Sequence, residues 1–361
     1  MRLHCVGLPH TELTQDYNQC AYTAKVRKFA TMMHRAGHDV FLYSAGGNEA
    51  ECTEHVQVLA KDEQEFLFKD YEWFGKKEWF GVDWDDQLPY WKRFNAMVCH
   101  ELHARLQPQD FICVITGYPQ RTIMDCFPKH MSVEYGIGYE GVYSPYQVFE
   151  SYAWMHTVYG KQGPSAADGK FYHDVVPNFF DIDEFPEHYE HDTDNYYLFL
   201  SRMIPRKGYE IAIELTRRIG AKLIVAGTGG DQPQHDHVEY VGFADAKMRG
   251  ELLAGAKALL CPTLYIEPFG GVTAEAMLCG TPVLTTDWGA FTENVRQGVD
   301  GFRCRNLAEF ELATENLVRL EPYDIRSYAQ ARFGTAPISK KYETYFNRLL
   351  TLWGDGFYSK P

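Results

Sequence analysis

Short apolar runs recur along the whole chain, each separated from the next by a longer amphipathic stretch. This alternation predicts an α/β protein with parallel sheets. In the first half the predicted strands are Arg2 to Gly7, Val40 to Tyr43, Phe111 to Thr116 and Met131 to Glu134. Helices are predicted over Tyr17 to Ala36, Tyr90 to Leu106 and Gln120 to Phe127. Strand, polar loop, helix, Gly37-His38 turn and strand make the opening segment a right-handed βαβ unit. The second half predicts strands at Tyr196 to Ser201, Leu223 to Ala226, Val238 to Val241, Ala258 to Cys261, Pro282 to Thr286 and Asp300 to Arg303. Its helices are read at Tyr209 to Ile219, Ala246 to Gly255, Val272 to Cys279 and Leu307 to Leu320, with a helical tail over Pro337 to Trp353. No internal sequence repeat accompanies this doubled pattern.

A chain of 361 residues exceeds one comfortable core and implies two domains. With 45% hydrophobic and 23% charged residues it has the composition of a soluble globular protein. The net charge of −14 disfavours nucleic acid and anionic membranes as partners, a local basic patch being the feature that would override it. Nine cysteines without a C-x-x-C pair, several inside apolar strands, read as reduced thiols in a cytoplasmic protein. No stretch reaches the ~18 apolar residues that span a bilayer, and the N-terminus opens on a strand where a signal peptide would have its apolar core.

The stretch from Glu267 to Gly289 concentrates the chemistry. A loop ending in Gly270-Gly271 opens the helix, and Gly280 with Pro282 closes it. A helix entered through two glycines presents unpaired N–H groups and the positive end of its dipole, a ready site for a phosphate. Glu267 and Glu275 flank that N-terminus. Two carboxylates beside a phosphate make electrostatic sense when they accept hydrogen bonds from hydroxyls, which suggests a sugar on one side and a ribose on the other.

Glu267-Pro268-Phe269-Gly270 with Glu275-Ala276-Met277 resembles the E-x7-E signature of the large retaining glycosyltransferase family 4. The resemblance implies a GT-B fold: two Rossmann-like doubly wound domains facing a central cleft. It implies an acceptor-side domain over 1–178, a nucleotide-sugar domain over 179–336, and a last helix within 337–361 crossing back to the first domain. By the same resemblance Glu267 bonds the donor sugar and Glu275 the ribose, while Phe269, Gly270, Gly271 and Val272 hold the diphosphate. Arg202-Met-Ile-Pro-Arg-Lys207-Gly208 is similar to the family's strand-to-helix loop, which assigns Arg202 and Lys207 to the donor phosphates. A cationic pair suits this chemistry, because the leaving nucleoside diphosphate gains charge as the glycosidic bond breaks. Gly242-Phe243 matches the family's region near the nucleobase, and Val175-Val-Pro-Asn178 its approach to the interdomain linker.

The first half departs from the family. Where members carry a Gly-Gly pair at the first helix, this chain has Thr14-Gln15-Asp16-Tyr17-Asn18-Gln19. Asp16 reads there as a helix cap, with Asn18 and Gln19 as the candidate donor contacts. Where members commonly have a histidine near the reaction, this chain offers Glu134. It is read either as an acceptor-positioning carboxylate or as a structural one paired to a nearby Lys or Arg. Eleven aromatics crowd positions 66 to 94 at neither helical nor strand period. They read partly as core and partly as a platform on which an acceptor stacks. Asp83-Trp84-Asp85 is a D-x-D tripeptide without the pattern of a metal site around it, and His188 to Asp194 reads as a solvated linker.

The resulting expectation is a metal-independent retaining enzyme that moves a sugar from a UDP- or GDP-sugar to a hydroxyl of a saccharide, lipid-linked or small-molecule acceptor. A hydroxylated nucleic-acid base as acceptor, the base being extruded onto the aromatics, and a non-catalytic sugar-nucleotide-binding protein are the alternatives.

Overall fold

A computed structural model of the chain describes residues 1–74, 81–163, 168–186 and 195–351. The chain forms two compact units, Met1–Phe149 with Ala167–Val176 and Ser339–Pro361, and Glu150–Ala166 with Pro177–Ile338.

The first unit is built on a parallel sheet of β1 (Arg2–Val6), β2 (Asp39–Ala45), β3 (Glu54–Leu59), β4 (Phe111–Val114), β5 (Met131–Ile137), β6 (Tyr146–Phe149) and β7 (Asp174–Val175). Their order is β3-β2-β1-β4-β5-β6-β7. Every residue of β4 and β5 is buried, as expected of central parallel strands covered on both faces. The helix Ala21–Arg35 lays Phe29 on Tyr135 of β5 with ring centroids 4.0 Å apart. Tyr342 of the last helix, Thr335–Leu350, meets Phe29 edge-on at 5.0 Å, which seats that helix on the first unit.

The second unit holds the parallel strands β8 (Tyr196–Leu200), β9 (Lys222–Ala226), β10 (Val238–Gly242), β11 (Leu259–Cys261), β12 (Val283–Thr286) and β13 (Gly301–Cys304), in the order β10-β9-β8-β11-β12-β13. Each sheet runs outward from its first strand in both directions. The order reverses between β1 and β4 in one and between β8 and β11 in the other. In open α/β sheets the crevice at such a reversal, beyond the carboxyl ends of the strands, is where ligands bind.

Several elements differ from the reading of the sequence. The first long helix begins at Ala21, after a 3₁₀ turn at Gln15–Tyr17, so Asp16 does not cap it; Cys20 precedes it without a side-chain cap. The edge strand β3 and the helix Lys61–Phe68 were not predicted, because Glu54-His-Val-Gln-Val-Leu59 offers three apolar residues among polar ones. β6 and the helices Tyr152–Lys161 and Pro322–Phe333 also escaped it. Of the aromatic stretch, Phe68, Tyr90, Trp91 and Phe94 are fully buried, and Phe68 stacks on Phe74 and tilts against Tyr90. Phe66 and Trp84 are exposed. Trp79, Phe80 and the His188 to Asp194 linker lie outside the described residues.

Candidate active site

At the reversal between β8 and β11 two loops meet. The loop after β8 carries Arg202 and Lys207; the loop after β11 runs from Pro262 to Gly270 and carries Glu267. They are tied where Leu264 N donates to the Arg206 carbonyl at 2.9 Å. Gly208 allows this approach: it has φ +77°, and a Cβ there would stand 2.1 Å from the Pro262 oxygen.

Lys207 Nζ donates to Glu267 Oε2 at 2.8 Å, and both side chains are largely buried. Burial by itself would lower the lysine pKa, but the adjacent Glu267 carboxylate, helped by Cys261 and Tyr265, pulls the other way and the net shift is upward. The Tyr265 ring collects two cations of the neighbouring loop, with Lys207 Nζ at 5.0 Å and the Arg206 guanidinium at 4.8 Å from its centroid. Arg202 is exposed at the start of its loop.

The loop from Pro262 leads into the helix Gly271–Leu278. Gly270 is its N-cap with φ +77°, and a Cβ would come 2.5 Å from the Phe291 ring, so glycine is required there. Phe269 turns into the core against Phe180 and Phe333. The loop's carbonyls are held from behind: Thr286 Oγ1 donates to Thr263 O (2.8 Å), Trp288 Nε1 to Tyr265 O (3.2 Å), Ala290 N to Glu267 O (3.0 Å) and Asn294 Nδ2 to Phe269 O (3.0 Å). Ser151 Oγ, capping the helix Tyr152–Lys161 of the same unit, donates to Pro268 O at 2.6 Å. With its carbonyls engaged this way, the N–H groups of Phe269, Gly270, Gly271 and Val272 meet no acceptor among the described residues. Four such donors at the positive end of a helix are suited to an anion. At the far end of this helix the buried guanidinium of Arg326 donates to the Leu278 carbonyl, placing a cation at the negative end of the dipole.

Glu275 sits one turn into the helix, its side chain mostly covered, with Arg249 Nε at 3.3 Å. That partner comes from the neighbouring helix Ala246–Gly255. Phe243 follows the edge strand β10 and is 54% exposed. Lys207, Glu267 and the Phe269–Val272 amides thus come together around one helix N-terminus, while Phe243 stands on the β10 side of the sheet.

Glu134, in the first unit, is in a different situation. It lies in the middle of β5 with no solvent exposure. Oε2 accepts from the amides of Tyr143 (2.9 Å) and Ser144 (3.0 Å), and Oε1 from the Tyr139 hydroxyl (2.9 Å). Gly117 packs so closely that a Cβ would stand 2.7 Å from Oε1. Burial raises its pKa to about 7 against the opposing pull of those three donors. Its partners are thus two backbone amides and a tyrosine; neither a lysine nor an arginine is among them, which corrects the ion-pair reading of this residue. Of the first helix's candidates, Asn18 Oδ1 accepts from Arg27 at 2.8 Å. Asp86, beside the D-x-D tripeptide, is buried against Arg121 at 2.7 Å. Among the described residues no group of three His, Cys, Asp or Glu side chains is placed to hold a metal ion.

Residues 181–319 match the family described as glycosyl transferases group 1. Over 127 residues the chain is 31% identical to an uncharacterized glycosyltransferase of Methanocaldococcus jannaschii, covering 30% of this chain and 32% of that protein. It is 28% identical over 117 residues to a phosphatidyl-myo-inositol mannosyltransferase of Mycobacterium leprae, covering 29% and 31%. In these matches the chain spans about a third of the curated relatives' length. Two solved structures extend the likeness to nearly the whole chain. AviGT4, a glycosyltransferase involved in avilamycin A biosynthesis, has a TM-score of 0.67 at 18% identity, with 97% of this chain and 98% of that one covered. HepE of Anabaena in complex with UDP-glucose has a TM-score of 0.63 at 16% identity, with 96% and 100% covered. The chain has the GT-B fold, and the match to the glycosyl transferases group 1 family lies within its second unit. Among the described residues no helix is long and apolar enough to cross a membrane.

Proposed function

We propose that the protein is a retaining glycosyltransferase that moves a sugar from a UDP- or GDP-sugar to an acceptor hydroxyl. The observation that carries this reading is the convergence of Lys207 and Glu267 on a helix N-terminus whose leading amides have no acceptor. The families of the relatives and the UDP-glucose bound to HepE support it. In this reading the amides of Phe269 to Val272, with Lys207 and Arg202, hold the diphosphate. Glu267 accepts from the donor sugar's hydroxyls and Glu275 from the ribose. Phe243 lies toward the nucleobase.

The acceptor oxygen bonds to the anomeric carbon as that carbon's bond to the diphosphate oxygen breaks. The acceptor proton passes to the leaving phosphate on the same face, and the two cations and the amides stabilise the negative charge that the leaving group gains. The positive charge comes from the protein, so transfer proceeds without a metal. We assign Glu134 to holding the 139–144 turn through its three donors, and Trp84 with Tyr22 (rings 4.9 Å apart) to the acceptor side.

Calorimetry with UDP and GDP, followed by release of the bound diphosphate from its sugar derivatives, tests the reading. Binding of one diphosphate and turnover of one of its sugars, undiminished by excess chelator, is the expected result. Failure of both diphosphates to bind overturns it.

A further inference from the structure

Glu267 is carried by a loop that packing alone does not fix. Leu264 and Ile266, on either side of Tyr265, are 53% and 41% exposed, so hydrogen bonds must define the path of the chain there. They come at every second carbonyl: 263 from Thr286, 265 from Trp288 and 267 from Ala290. This is the spacing of a strand pair, although only Thr286, the last residue of β12, belongs to a strand. The first of these donors is a buried threonine and the last a backbone amide, both tied to the framework. The middle one is the indole of Trp288, a side chain only partly covered. It closes the pairing where the loop is least packed, and the residue it holds carries the ring on which Lys207 and Arg206 rest.

Gly289, next to Trp288, shows how closely the two segments approach. It has φ +62°, and a Cβ there would lie 2.7 Å from Glu267 N. The position of the Glu267 backbone is therefore set by the 286–290 segment on one side and by the Tyr265 carbonyl on the other.

We propose that Trp288 is a positioning residue for this site: its indole N–H, through the Tyr265 carbonyl, sets where the Glu267 carboxylate and the Tyr265–Lys207 contact stand. The inference rests on the reading of this loop as the donor-sugar side of the site. A positioning role differs from a contact with the nucleotide, since the amides of Phe269 to Val272 lie beyond the held segment, where Ser151 and Asn294 separately hold the Pro268 and Phe269 carbonyls. Removing the indole N–H should leave the diphosphate site intact and misplace the group that meets the sugar. Displacements of about 1 Å at a reacting centre cost on the order of 100-fold in rate.

The test is Trp288→Phe, which keeps an aromatic ring and removes the donor, with Thr286→Val as an independent loss of the neighbouring bond. UDP and GDP are titrated by calorimetry, and the release of the bound diphosphate from its glucose and mannose derivatives is followed with water as acceptor. Expected for Trp288→Phe are diphosphate affinity within about twofold of wild type and a kcat lower by roughly 10- to 100-fold, with a smaller fall of the same kind for Thr286→Val. A kcat within twofold of wild type in Trp288→Phe overturns the proposal. So does an equal fall in diphosphate affinity and kcat, the mark of general damage to the fold. Wild-type protein that binds neither diphosphate overturns the donor-site reading itself, and the proposal with it.

Discussion

Lys207 and Glu267, sixty positions apart in the chain and on loops after two adjacent strands, form an ion pair of 2.8 Å that is mostly shielded from water. In the sequence Lys207, like Arg202, stands at a loop edge, where its exchange is expected to leave folding unaffected. Their burial changes that expectation, because a buried charge left without its partner is costly.

Lys207→Ala is therefore expected to lower both activity and stability. Turnover of a sugar nucleotide should fall by ~100-fold or more, the scale of one lost transition-state contact. Denaturant unfolding should show a loss of about 3 kcal/mol. The double variant Lys207→Met/Glu267→Gln should recover most of the stability and none of the activity. A single variant as stable as wild type would mean that the pair does not matter to the fold.

The two glutamates should separate by what each touches. Glu275→Gln removes a ribose contact kept throughout the reaction, so free nucleoside diphosphate should bind more weakly and the loss should appear in KM. Glu267→Gln should leave diphosphate binding nearly intact and depress kcat, a charge-assisted hydrogen bond at the sugar being worth roughly 1.5–3 kcal/mol. Calorimetry with the diphosphate alone decides this, equal effects of both substitutions being the contrary result.

Glu134 gives the protein a pH dependence of a definite sign. Its folded-state pKa, about 7, lies above the ordinary 4.5, because burial disfavours the charged form. The folded state thus holds the proton more tightly than the unfolded chain. Its contribution, on the order of 3 kcal/mol, is fully present below pH 4.5 and is lost as pH rises to 7. Glu134→Gln keeps the shape without the charge. It should flatten the stability profile across that window and raise the melting temperature at pH 7.5, while turnover changes less than about threefold. A large loss of turnover with unchanged stability would return Glu134 to the reacting groups.

Gly289→Ala should be among the more damaging small substitutions. The left-handed backbone costs a residue with a Cβ roughly 1–2 kcal/mol, and at 2.7 Å from Glu267 N the added methyl meets backbone, not a movable side chain. A denaturant midpoint lower by the corresponding amount, with kcat reduced more than diphosphate affinity, is expected. Wild-type behaviour in both would show that the two loops can part.

The chemistry of the second unit is local in the chain, and that is why the sequence by itself determined so much of it. Gly270-Gly271 before an apolar helix, Glu267 and Glu275 eight positions apart, and the β-strand alternation all express period and spacing. The helix Gly271–Leu278 and the strands around it stand within a residue or two of their predicted bounds. What only the tertiary structure decided lies across long separations. Arg249 faces Glu275, Trp288 donates to Tyr265, and the segment 150–166 packs with the second unit. Nothing in the spacing of those residues announces a partner. Glu134 shows the physical reason most plainly. A glutamate in an apolar strand is legible as unusual, but whether it faces a ligand or its own chain depends on the turn at Tyr139–Ser144 folding back over it. That turn brings two amides and a hydroxyl to its oxygens and leaves it no surface.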